Sequence, residues 1–167
     1  GMRWGHAHSR DLVHWDIKEP AVFPDENGVI YSGTAAVDWH DTSGFFGGKP
    51  GLVAMFTYNT TGNTEGQCQG LAFSRDGGGT WCKYAGNPVI PHHGGEERIF
   101  IDPKIFWHES TQSWKCLVGG KDKLRLFTSE NAKEWELAKA FDNIRTEVPD
   151  FFEMSVNGDP NSKKWVL

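Results

Sequence analysis

SRDGGGTW, residues 74–81, has two relatives in the same chain: SRDLVHW at 9–15 and SENAKEW at 129–135. Each starts with Ser, runs through a charged residue to Asp or Asn, makes a short polar turn and ends on Trp. The first and third have the same spacing, and the middle copy carries one more glycine. Asp76 and the glycines at 77–79 have turn chemistry: Asp bonds the backbone that follows it, and Gly accepts positive φ. Each copy therefore reads as a hairpin, a strand and a polar turn followed by a strand opening on Trp. A unit that recurs speaks to architecture before it speaks to any single residue.

Short runs of apolar residues bounded by Gly, Asn, Asp and Pro fill the space between copies. Residues 29–38 (VIYSGTAAVD), 51–58 (GLVAMFTY), 70–74 and 81–84 read as four strands. Residues 102–107, 114–119, 123–128 and 135–137 repeat the scheme, and a third unit opens at 150–155 and continues at 164–167. Residues 131–139 are the one weak helix candidate; they hold the repeat's Trp135 and are read as turn and strand. Four short strands per tandem unit predict β-propeller blades. The expected fold class is all-β, a partial propeller forming one domain over 1–167. Two complete blades, 28–90 and 98–142, are flanked by the end of a blade at 2–20 and the start of another at 147–167. Such an array leaves strand edges and apolar faces uncovered, so self-association of chains is expected.

The net charge of −5 and the lack of a basic run argue against nucleic acid as a partner. No apolar stretch approaches the roughly 18 residues of a membrane span. The N-terminal GMRWGHAHS lacks the apolar core of a secretory signal, and the compartment is left unassigned. Cys68, Cys82 and Cys116 are odd in number and form no CxxC pair. They read as buried free thiols, with a Cys68–Cys82 bridge between neighbouring strands as the alternative. There is no HExxH, P-loop or dinucleotide fingerprint, so no cofactor and no metal is expected. His92 and His93 sit in a Pro/Gly loop and read as solvated in preference to metal-binding. Asn59-Thr60-Thr61 is a glycosylation sequon, relevant only on a eukaryotic secretory route.

Residues with chemistry sit where blades begin. In FIDPKIFWH, residues 100–108, Pro103 fixes its own φ and directs Asp102 toward an extended backbone. That puts the Asp102 carboxylate at the mouth of a strand, although a turn aspartate has the same local look. Glu147, in TEVPDFFEM at 146–154, precedes the first strand of the following blade. Carboxylates at matching blade starts converge toward the propeller axis and suit general acid/base work on a sugar. The alternative is that both simply open turns ahead of Pro103 and Pro149.

Five blocks, in order, resemble glycoside hydrolase family 32, the β-fructofuranosidases, which include invertases, levanases, inulinases and sucrose-6-phosphate hydrolases. WGHAHSRDLVHW (4–15), YSGTAAVD (31–38), GLAFSRDGGGTW (70–81), FIDPKIFWH (100–108) and EVPDFFEM (147–154) look like the family's WGHA, [FY]SG[ST]A, A-S-DGG-TW, FRDPK and ECPD blocks. The resemblance implies a five-bladed propeller. It also implies hydrolysis of β-fructosyl linkages of sucrose or of fructans such as levan and inulin, with retention, through a covalent fructosyl-enzyme. Glu147 takes the general acid/base role and Asp102 that of transition-state stabiliser bonded to fructosyl hydroxyls. Tyr31 and Ser32 fall where the family lines the fructose pocket. Among the tryptophans, read mainly as packing anchors, Trp39 follows the YSGTA block and is a further candidate for stacking on sugar.

Three departures matter. The family's nucleophile is an Asp in a WMNDPNG block ahead of WGHA; this chain opens at WGHA, so the isolated chain is expected to be inactive. Ile101 stands in place of the arginine of FRDPK, with Arg98 as a nearby substitute, and Val148 stands in place of the cysteine of ECPD. A reading from another class is a non-catalytic carbohydrate-binding or degenerate propeller module, which the altered FIDP block favours.

Overall fold

The computed structural model describes residues 1–59, 66–92 and 99–167. These form four antiparallel sheets in chain order. β1 (Trp4–His8) pairs with β2 (Asp16–Val22). β3 (Val29–Asp38), β4 (Gly51–Asn59), β5 (Gln67–Ser74) and β6 (Cys82–Lys83) make a four-stranded meander. β7 (Ile101–His108), β8 (Ser113–Gly119), β9 (Lys123–Ser129) and β10 (Glu136–Asp142) make another, and β11 (Phe152–Val156) pairs with β12 (Asp159–Val166). Every strand pairs with its neighbour in sequence. The succession is that of β-propeller blades, two four-stranded meanders with a two-stranded sheet before and after them in the chain. A 3-10 turn lies at Glu109–Thr111. Residues 131–139 are turn and strand, as Trp135 implied.

The blade β3–β6 is apolar on both faces because it is covered on both. Side chains alternate along a strand. From one face of β4 and β5, Val53, Met55 and Leu71 meet Ile105, Trp114, Cys116, Val118 and Phe127 of the β7–β10 sheet. From the other, Phe56, Tyr58 and Ala72 pack with Val22 and Trp4 of the β1–β2 sheet. This explains the unbroken apolar run GLVAMFTY, since a strand covered on both sides has no polar register. Each such fully buried large side chain contributes about 1.5–3 kcal/mol. Close approach makes glycine obligatory at Gly33, where a Cβ would lie 2.0 Å from the Met55 carbonyl oxygen.

The three hairpins join β1 to β2, β5 to β6 and β9 to β10. In each the serine hydroxyl accepts a backbone N–H: Leu12 at 2.8 Å from Ser9, Gly78 at 2.8 Å from Ser74, Asn131 at 3.2 Å from Ser129. The following Asp or Asn then accepts from the far side of the turn: His14 to Asp11, Thr80 to Asp76, Glu134 to Asn131. Leu12, Gly77, Gly78 and Ala132 take the positive φ that closes each turn.

All three cysteines are free, as the favoured reading had it, and the alternative Cys68–Cys82 bridge is absent; burial holds for Cys68 and Cys116 but not for Cys82. Cys82 is exposed because it lies on the short edge strand β6, where nothing covers it. Asn59 of the sequon is only 2% exposed, packed at the end of β4, and cannot present its amide for glycosylation in the folded chain. Thr60, Thr61, His93 and Arg98 lie outside the described residues.

Candidate active site

Asp102 does not take the extended backbone expected ahead of Pro103. Its φ is +59°, in the left-handed region. The cause is a bulge: Ile101 pairs with Gly119 and Lys104 with Leu117, so Asp102 and Pro103 together face one position of β8. The extra residue must be absorbed by a turn of the backbone, and Asp tolerates the left-handed region better than most residues. Pro103 has no N–H to offer the ladder, which suits a position where pairing is broken.

A second bulge lies beside the first. Ile30 pairs with Tyr58 and Gly33 with Phe56, so Tyr31 and Ser32 face Thr57 alone. Thr57 ties the two bulges together. Its Oγ1 accepts the Asp102 N–H at 3.0 Å and donates to Gln69 Oε1 at 2.8 Å. Gln69 Nε2 donates to the Phe100 carbonyl at 2.8 Å, and Gln67 Oε1 accepts the Phe100 N–H at 2.9 Å. Thr57, Gln67 and Gln69 are buried, and these bonds satisfy groups that would otherwise be costly there. Thr34 adds a further link between β3 and β7: its hydroxyl donates to the Pro103 carbonyl at 2.9 Å and accepts the Ile105 N–H at 2.9 Å. Tyr31, Ser32 and Asp102 thus sit at one level of two adjoining innermost strands.

Asp102 is 8% exposed, and its Oδ2 accepts the Val148 N–H at 3.0 Å. Its carboxyl titrates above the ordinary range: burial pushes it up, the Val148 N–H opposes this, and the charge of Glu147 pushes it up further. Two residues further along each segment, Lys104 Nζ lies 2.6 Å from Asp150 Oδ1. The Lys104 ammonium, with the Phe151 N–H, holds the Asp150 carboxyl below its ordinary range.

Glu147 and Asp102 are brought together, but not at matching positions. Val148 has φ +45° before Pro149, so it is Val148 that corresponds to Asp102. Glu147 corresponds to Ile101. The offset of one residue leaves Asp102 in the buried bulge and Glu147 on the exposed side of the connection. Trp39 is not part of this group. The strand from Ser32 to Asp38 must be traversed to reach it, about 20 Å at roughly 3.3 Å per residue, and its ring is 64% exposed. Ile101 is half-buried and carries no donor. Among the described residues no group of three or more His, Cys, Asp or Glu is arranged to hold a metal.

Sequence reasoning missed Thr34, Thr57, Gln67 and Gln69. A signal existed: Thr57, Gln67 and Gln69 are polar residues at alternating positions in otherwise apolar strands, which marks a polar line on one face. Two carboxyls set side by side, Asp102 buried and Glu147 facing solvent, are an arrangement suited to charge stabilisation and proton transfer.

The fold and this group define a class: a β-propeller with carboxylates gathered where adjacent blades begin. The chain belongs to glycosyl hydrolase family 32, whose N-terminal domain matches it over residues 1–167. It is 46% identical to a levanase of Bacillus subtilis (strain 168), covering 99% of this chain and 25% of that protein. It is 35% identical to invertase 2 of Saccharomyces cerevisiae, covering 98% of this chain and 32% of that one. A β-fructofuranosidase from Schwanniomyces occidentalis, solved in complex with fructosyl-erythritol, superposes with a TM-score of 0.84 at 39% identity, over 98% of this chain and 33% of that one. The chain thus spans between a quarter and a third of the length of these relatives.

Proposed function

We propose that this chain contributes two carboxylates of a retaining β-fructofuranosidase acting on sucrose or fructan. Glu147 gives its proton to the leaving-group oxygen and later takes one from water. Asp102, ionised, faces the oxocarbenium-like transition state and accepts hydrogen bonds from fructosyl hydroxyls that tighten as charge develops. Tyr31 and Ser32 line the same pocket. The observation that carries this reading is the Asp102 Oδ2 bond to the Val148 N–H, which joins the two motif blocks and sets Glu147 beside Asp102.

Asp102→Asn and Glu147→Gln, each in the natural-length protein, test the reading with sucrose, inulin and levan. Each substitution should lower fructose release by about 10²–10⁴-fold. Turnover near that of the parent in either variant sinks the assignment. A non-catalytic carbohydrate-binding role is favoured by one observation, Ile101 in place of a cationic donor. Titration calorimetry with fructo-oligosaccharides, in a protein that binds them without turnover, is the result that selects it. The isolated chain is further proposed to self-associate, because Leu12, Val13, Trp15 and Ile17 at one end and Phe152, Met154 and Trp165 at the other are exposed. A dilute monomer by light scattering contradicts this.

A further inference from the structure

The connection that carries Glu147 has little regular structure of its own. β10 ends at Asp142 and β11 starts at Phe152. Between them the chain is tied by backbone bonds from Asn143 to Asp122 and from Thr146 to Gly120, the latter at 3.4 Å. Beyond Glu147 two interactions with β7 take over. The Val148 N–H reaches Asp102 Oδ2, and Asp150 Oδ1 reaches Lys104 Nζ at 2.6 Å. The two are spaced alike on both sides, Asp102 to Lys104 and Val148 to Asp150, with Pro103 and Pro149 stiffening the step between. The Asp150 carboxylate also accepts the Phe151 N–H at 2.9 Å, which fixes its direction.

We propose that the Lys104–Asp150 ion pair is a positioning device for Glu147, so that Lys104 and Asp150 set the efficiency of leaving-group protonation without touching substrate. This rests on Glu147 being the acid. The Asp150 side chain is 62% exposed, and an ion pair so placed contributes little to stability. Its geometric effect is larger, because misplacement of a reacting group by about 1 Å costs on the order of 10²-fold in rate. A staple between blades would do the reverse, changing stability and all activities together.

The test compares two substrates in the natural-length protein: sucrose, whose leaving oxygen needs a proton, and 4-nitrophenyl β-fructofuranoside, whose phenolate leaves without one. Asp150→Asn should lower kcat on sucrose by about 10- to 100-fold. KM should stay within about twofold, and the first-turnover burst of 4-nitrophenolate from the aryl fructoside, which precedes the step where Glu147 acts as base, within about threefold. Lys104→Arg, which keeps the pair, should retain sucrose turnover within about threefold. Equal losses on both substrates, an unchanged kcat on sucrose, or an Asp150→Asn protein that fails to fold each overturn the proposal. Glu147→Gln run in parallel separates the two levels. If it lacks the sucrose-selective loss, the acid assignment fails and the inference with it. If it shows that loss and Asp150→Asn does not, only the positioning role fails.

Discussion

The turns Ile101-Asp102-Pro103-Lys104 and Glu147-Val148-Pro149-Asp150 share a backbone device and put it to different uses. Each places a left-handed residue ahead of proline where an innermost strand begins. In the first turn that residue is Asp102, nearly buried, and its side chain is the product of the turn: a carboxylate held inward. In the second it is Val148, 67% exposed, and only its N–H is used, as the donor to that carboxylate. A β-branched residue at positive φ is an unusual choice, costing on the order of 1–3 kcal/mol. The surrounding bonds to Asp102 and Lys104 must hold it there. The comparison teaches that a repeated fold need not repeat its chemistry in register. One blade presents a side chain from the device, and the next presents an amide and sets its own carboxylate one residue earlier.

Thr57 is where this comparison is most easily broken. Its hydroxyl both supports the first turn through the Asp102 N–H and satisfies Gln69. The second turn takes its support from the first, since Asp102 Oδ2 accepts the Val148 N–H. Thr57→Val keeps the shape and removes the hydroxyl, leaving two buried polar groups without partners. A loss of about 2–4 kcal/mol in denaturant unfolding is expected. An unchanged unfolding midpoint means that the first turn holds its left-handed residue without help.

The second turn yields a smaller effect of opposite sign. Val148→Gly removes the side chain that objects to positive φ and keeps the N–H that Asp102 needs. Relief of strain, partly offset by the freer unfolded chain, should stabilise the protein by about 1 kcal/mol. Thermal unfolding measures it. A destabilised Val148→Gly variant shows that the valine side chain has a packing role which its exposure conceals.

How far these features were legible depends on how local their causes are. The hairpins could be read from sequence because Ser74 and Asp76, or Ser129 and Asn131, satisfy their own turns within a few residues. The blade succession followed from them. Asp102 and Glu147 could be nominated because their blocks resemble those of a known family. The backbone at Asp102 was misread, since the proline rule is local and the bulge opposite β8 overrides it. The one-residue offset of Glu147 was hidden for the same reason: both blocks contain a proline, and only the register shows which residue matches which. Lys104–Asp150 and Thr57–Asp102 join residues about 46 positions apart in sequence, and no local pattern announces such pairs.

The finest distinction between the turns is one of charge, and it is read by pH. Folding raises the Asp102 carboxyl above its ordinary value of 3.8, chiefly through burial. The folded state therefore holds that proton more tightly than the unfolded state does. The stability this group contributes is fully present below the ordinary value and is lost as pH rises through the raised one. Asp102→Asn removes the titration while its amide oxygen still accepts the Val148 N–H. The variant should melt slightly higher than the parent at pH 7, with the gap closing as pH falls toward 4. Val148→Gly, which alters no titrating group, should shift melting equally at both pH values. A gap for Asp102→Asn that does not change with pH means the carboxyl is no more costly to ionise in the fold than in the unfolded chain, and the contrast between a buried charge at one turn and an exposed valine at the other loses its energetic content.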